Sequence, residues 1–126
     1  MTTEFEQLFS ENYVMLTTFK KSGDAVSIPI WAAGDDGELV MWTVRDSGKV
    51  KRIRNSGRVE LQACDVRGKS THGPKVAGEA RLVDGDDLER VRRAIGRKYW
   101  LLGRTMMFFG RFRSQDRNIG IAVKPV

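Results

Sequence analysis

The sequence predicts a mainly β protein, a small antiparallel barrel of about six strands with short helices appended. Three observations predict it. Runs rich in β-branched and aromatic residues recur at Tyr13–Lys20, Ala25–Ala33, Glu38–Val44, Arg58–Val66, Lys75–Val83 and Ile119–Val126. The turn signals KSGD and GDDG join the first three runs so closely that only an antiparallel meander fits. Strong helical periodicity is confined to one late stretch that begins at Asp84.

Each element has a local reason. Thr2 or Thr3 is placed to cap a short helix ending near Ser10, with Phe5, Leu8 and Phe9 on one face. The first three strands follow. Ser47 then stands where an N-cap belongs, and Val50 and Ile53 form the apolar side of a short helix to about Asn55. The fourth strand alternates polar and apolar residues, which makes Cys64 a packed small hydrophobe. A loop, RGKSTHGP, is expected to end at Pro74. In the fifth strand Ala77, Gly78 and Ala80 predict close approach of another backbone or a ligand. Asp84-Gly-Asp-Asp87 caps a helix with Leu88, Val91, Ile95, Tyr99 and Leu102 on one stripe. Arg90, Arg92, Arg93, Arg97 and Lys98 lie mostly off that stripe and read as a solvated face. LLGRTMMFFGRFR has no clear pattern; Met106–Phe109 reads as core or dimer contact. Residues 1–126 carry no repeat or linker and read as one domain.

Composition narrows the function. Hydrophobic residues make up 40% and charged residues 30%, which describes a folded chain rather than a disordered one. No apolar run approaches the roughly 20 residues a membrane span needs. MTTEFEQLFSEN has neither the basic nor the apolar region of a signal peptide, and the single Cys64 excludes an internal disulfide. A cytoplasmic protein is the expectation. No Cys/His/Asp cluster has metal-ligand spacing, so no metal is expected. GxxxxGK[ST], GxGxxG and GxSxG are all absent, and His72 has no evident catalytic partner.

The net charge is +6, which suits an anionic partner without choosing one. Its densest expression is TVRDSGKVKRIRNSG, Thr43–Gly57. Three readings stay open for it: a solvated helix face, a nucleic-acid patch, or a phosphate seat. Nucleic acid is disfavoured because aromatics are not interleaved with Lys and Arg on a strand face. For the phosphate seat, Gly48 admits an anion to the first helical amides. Lys49 also places a cation at the positive helix end, where it costs stability unless an anion is bound.

The order LTTF-KKSGDAVSIPIW, LVMWT-RDSGKVKRIRNSGRV, then KVAGEARLV and its helix resembles the pyridoxamine-phosphate-oxidase-like superfamily of FMN-binding split barrels. It is most similar to the branch of F420-dependent enzymes within it. The resemblance covers about Tyr13 to Tyr99. It implies a homodimer with a deazaflavin or flavin ring in an interface groove, its phosphate held after the third strand. Carried onto this sequence, Ser47 and Lys49 match the phosphate positions best, then Lys51, with Arg52 and Arg54 behind them. Ser27, Ile28, Pro29, Ile30 and Trp31 match the strand beside the ring, and Trp42 and Thr43 the strand end leading to the phosphate. Trp31 and Trp42 also fit plain barrel or dimer packing. The implied cofactor is F420, with FMN as the alternative. The implied reaction is hydride transfer to or from an unsaturated or imine-like small molecule, with no side chain named as catalytic. A protein that binds F420 without efficient turnover is the reading from another class. Lys20, Lys21 and Arg45 are placed to meet the acidic tail of F420.

Overall fold

The computed structural model describes residues 3–101 and 118–126; of Trp100 and Leu101 only the backbone is described. The expectations for Leu102 and for Met106–Phe109 lie outside these residues. In chain order the elements are α1 (Glu4–Gln7), a 3-10 turn (Leu8–Ser10), β1 (Tyr13–Phe19), β2 (Ala25–Ile30), β3 (Ala32–Asp35), β4 (Glu38–Val44), α2 (Gly48–Asn55), β5 (Arg58–Cys64), β6 (Thr71–Val83), α3 (Asp86–Leu101) and β7 (Asn118–Pro125). The strands form one sheet ordered β2-β1-β5-β6-β7-β4-β3, antiparallel throughout.

The fold is the mainly β split barrel expected, with seven strands where about six were expected. The run Ala25–Ala33 was expected as one strand, and it divides at Trp31. Its first part pairs with β1, Val14 opposite Ile30, while its continuation pairs with β4, Ala32 opposite Met41. One extended segment therefore joins both edges of the sheet and closes it into a split barrel. The change of partner falls at Trp31 and cannot be seen in composition, because strand propensity does not say which neighbour a segment pairs with.

Burial explains the two kinds of strand pattern. Val14, Leu16, Leu39, Met41, Val59, Leu61, Ile121 and Val123 meet in the barrel interior with Phe5 and Leu8. Outside the barrel, α3 covers β3, β4 and β7, and Leu88, Val91, Ile95 and Tyr99 pack on Val40, Trp42, Val83 and Ala122. β4 is thus buried on both faces and reads as the unbroken run LVMWT, whereas β1 is buried on alternate residues only.

Two further boundaries differ from expectation. β5 ends at Cys64, not Val66, because the Asp65 carboxylate and carbonyl accept the amides of Lys69 and Gly68 and turn the chain. β6 begins at Thr71 rather than after Pro74. Its register with β5 slips between Leu61–Val76 and Ala63–His72, a bulge holding Gly73 at φ +73° and Pro74. Proline, lacking an N–H, fits a bulge without breaking a ladder bond. The small residues of β6 do admit a neighbouring backbone: a Cβ on Gly78 would lie 2.6 Å from Val123 Cγ1 and 3.3 Å from the Lys124 carbonyl of β7. Cys64 is buried, and burial pushes its thiol pKa up. Among the described residues no helix is long and apolar enough to cross a membrane, and no group of three His, Cys, Asp or Glu could hold a metal.

Candidate functional site

The break at Trp31 opens one side of a cleft of about 150 Å³. Ile28, Pro29 and Ile30 of β2 and Trp31 form that side, Trp42, Thr43 and Val44 of β4 the other, and Ser47 and Lys49 close the end where α2 begins. Eight of the ten sequence-derived candidates therefore share one hollow. Tyr13 and Ile95 complete it.

The phosphate end follows from the strand-to-helix junction. Ser47 has extended backbone, φ −73° and ψ 158°, and its carbonyl starts α2 by accepting the Lys51 amide at 3.3 Å. Its hydroxyl makes no capping bond, and its buried Oγ has no hydrogen-bond partner among the described residues. A buried, unbonded hydroxyl costs free energy unless something completes it. Beside it lie the first amides of a helix whose opening turn has no acidic side chain, so its positive end is not offset locally. Together the hydroxyl, the helix end and Lys49 are a donor set for an anion.

The ring end is flat and apolar. Trp31 stacks on Tyr99 with centroids 4.4 Å apart and planes 11° apart, and Tyr13 meets it edge-on at 6.4 Å. Tyr99 is fully buried; its hydroxyl accepts the Ala32 amide at 3.1 Å and donates to the Asn12 carbonyl at 2.7 Å. These bonds hold α3 to both chain segments flanking the cleft. On the far side of Trp42, the Arg92 guanidinium lies 5.1 Å from the ring centroid. The two indoles are therefore positioned by neighbours and are not loose surface groups.

The remaining candidates stand elsewhere. Ser27 points its hydroxyl at Thr17, Oγ to Oγ1 2.7 Å, in a separate hollow with Glu60 and Lys75. Lys51 is exposed; two positions past Lys49 puts it about 200° round the helix. Arg52 donates from Nε to Thr18 Oγ1 at 2.5 Å and pins α2 to β1, while Arg54 is exposed. Arg45 is bound to Asp84 Oδ2 at 2.6 Å and the Asn118 carbonyl at 3.1 Å, and Lys20 and Lys21 lie exposed at the β1–β2 turn. His72 pairs with Glu11 at 2.7 Å, away from the cleft.

Tyr13, Val44, Ile95 and Tyr99 were missed as site residues. Tyr13 had a usable signal: the pairing of Val14 with Ile30 sets it beside Trp31, so a correct register would have found it. Ile95 and Tyr99 sit on the apolar stripe of α3 and are indistinguishable there from ordinary core residues.

The sequence matches the Pyridoxamine 5'-phosphate oxidase family over residues 1–119. No curated protein matches it. Similar solved structures include HutZ, the heme storage protein from Vibrio cholerae, at TM-score 0.74 and 12% identity, covering 100% of this chain and 92% of that one. An F420 reductase superposes at TM-score 0.65 with 15% identity, covering 100% and 96%. A FAD-binding protein from Mesorhizobium loti does so at 0.64 with 15% identity, covering 98% and 88%. At such identities the structural likeness establishes the fold, and neighbours on it bind chemically different groups. Because the family match spans nearly the whole sequence, the chain belongs to the pyridoxamine 5'-phosphate oxidase family of split barrels.

Proposed function

We propose that the protein is an F420-dependent oxidoreductase that transfers a hydride between coenzyme F420 and an unsaturated or imine-like small molecule, acting as a homodimer. The observation that carries this reading is the polarity of the cleft. An unbonded buried hydroxyl, a helix N-terminus and Lys49 stand at one end, and Pro29, Trp31 and Trp42 make an apolar wall at the other. A ligand suited to both ends carries a phosphate joined to a flat ring. The residues present thus fit the phosphate and ring of F420, and they fit FMN as well.

When bound, F420 would supply the hydride, and the protein supplies position. Ser47, Lys49 and the α2 amides would anchor the phosphate. Pro29 lacks an N–H, so the backbone of β2 presents carbonyls and a smooth surface at that point. The Trp31–Tyr99 stack holds the Trp31 indole in place against α3 at the wall of the cleft. At about 150 Å³ the cleft is smaller than the roughly 300–1,000 Å³ of complete small-molecule sites. The rest of the wall comes from beyond these residues, the place a homodimer gives to the partner subunit. A haem held by imidazole finds less support, because the one histidine in the sequence, His72, pairs with Glu11 outside the cleft.

Fluorescence titration with oxidised F420 and with FMN tests the reading. Tight F420 binding without FMN binding supports it. FMN binding alone moves the assignment to a flavin enzyme of the same fold, and binding of neither ligand removes both. Bound F420 that is never reduced or oxidised by any acceptor would make the protein a carrier.

A further inference from the structure

A second concavity, about 540 Å³, lies between β3 and α3 and shares no lining residue with the cleft. Phe9, Ala33, Gly34 and Ala94 supply its apolar lining, and Arg90, Arg93, Arg97 and Lys98 stand with the one carboxylate of Asp35. The four cations are not equivalent. Arg90 is committed to Asp35 at 2.9 Å and Glu38 at 3.2 Å. Arg93 and Arg97 have no hydrogen-bond or ion-pair partner among the described residues, and they are exposed. Lys98 spends two donors on the carbonyls of Glu11 and Ala32, which leaves its third for the groove.

This is not how a solvated helix face is usually balanced. Four residues apart, Arg93 and Arg97 form a like-charge pair, which destabilises a helix. The nearest acid at that spacing, Glu89, is instead turned to Arg92 at 2.5 Å. A cationic pair with no partner among the described residues, over a groove of small-molecule size, calls for a concave-fitting anion. The groove's concave form, bounded by one strand and one helix, favours a compact ligand over a duplex or a lipid surface.

We propose that the groove between β3 and α3 is a binding site for a small oligoanion carrying two or more phosphate or carboxylate groups, held by Arg93, Arg97 and Lys98. The proposal stands apart from the cofactor reading. Two guanidiniums one helical turn apart would each take one anionic group, in forked hydrogen bonds that suit both oxyanions.

The test is calorimetric titration of the whole protein with sodium tripolyphosphate and, separately, with tetraglutamate at low salt. At least one should bind at one site per chain, and R93Q/R97Q should weaken it tenfold or more with its melting curve kept. Binding of tripolyphosphate alone identifies a phosphate ligand, and of tetraglutamate alone a polycarboxylate. NMR shift mapping on the unmodified protein gives an independent check, with changes expected at residues 93–98. No binding of either probe, equal binding by R93Q/R97Q, or shifts confined to Ile28–Trp31 and Ser47–Lys49 would overturn the proposal. So would binding of a single-stranded oligonucleotide in preference to both probes.

Discussion

Two hollows flank α3, and they are built on opposite principles. The cleft holds its polar groups at one end, a hydroxyl, a helix start and one lysine, and is otherwise walled by Pro, Trp and Ile. The groove reverses this, with four cations of α3 spread along it beside Phe9, Ala33, Gly34 and Ala94. One helix serves both: Ile95 and Tyr99 hold up the cleft, while Arg93 and Arg97, off the apolar stripe, face the groove. The difference teaches that a helix assigned to core packing can also separate two binding surfaces of different chemistry.

The sharpest way to break that comparison is at Tyr99. Tyr99→Ala deletes a fully buried ring, its stack on Trp31 and both hydroxyl hydrogen bonds, and should cost about 3–5 kcal/mol in urea unfolding. A loss below about 1 kcal/mol would mean that α3 does not support the cleft.

Next in size is Lys49→Ala. Affinity for F420 or FMN should fall by about 1.5–3 kcal/mol, as expected for a charge-assisted hydrogen bond to phosphate. Tripolyphosphate binding at the groove should stay as it is. An equal fall for both ligands would show that the two hollows act as one.

Lys98 gives a pH signature to the groove side. Burial lowers its pKa to about 8, offset only in part by the nearby Glu11. Between pH 8 and its unfolded value near 10.5 the unfolded chain holds more protons than the folded one, so this group's contribution to stability rises with pH across that window. Partial exposure keeps the slope below one proton, under about 1.4 kcal/mol per pH unit. Urea unfolding of the native protein and Lys98→Met at pH 7.5 to 10 should diverge accordingly; parallel curves would refute it.

The smallest effect belongs to Ser47→Ala. Removing an N-cap serine ordinarily costs about 1 kcal/mol. Here the side chain makes no capping bond, so the unliganded protein should change by less than about 0.5 kcal/mol. Cofactor affinity should still drop by about 0.5–1.5 kcal/mol. A full capping loss would place the hydroxyl on its own helix and away from the ligand.

Much of the fold was legible in the sequence. The alternation of β1 and β5, the Ser47 start of α2 and the Leu88–Val91–Ile95–Tyr99 stripe are each written in neighbouring residues, and propensity, capping and periodicity act at that range. Pro74 misled because a β-bulge can absorb a proline that otherwise signals a loop. The family resemblance grouped Ile28–Trp31 with Trp42, Thr43, Ser47 and Lys49, which line one cleft, and with Ser27 and Lys51, which stand outside it.

By itself the sequence determined roughly where strands and helices lie, though not their exact bounds, how charge is distributed, and which short segments could seat a phosphate. Tertiary structure decided the rest. It split one extended run between two partners at Trp31, and it brought Tyr13, Trp31 and Tyr99 together from distant places in the chain. It also turned Arg45, Arg52 and Arg90 inward to fixed partners while leaving Arg93 and Arg97 without any among the described residues. The physical reason is that a residue's type sets what bonds it can make, but register and packing set which groups come within reach.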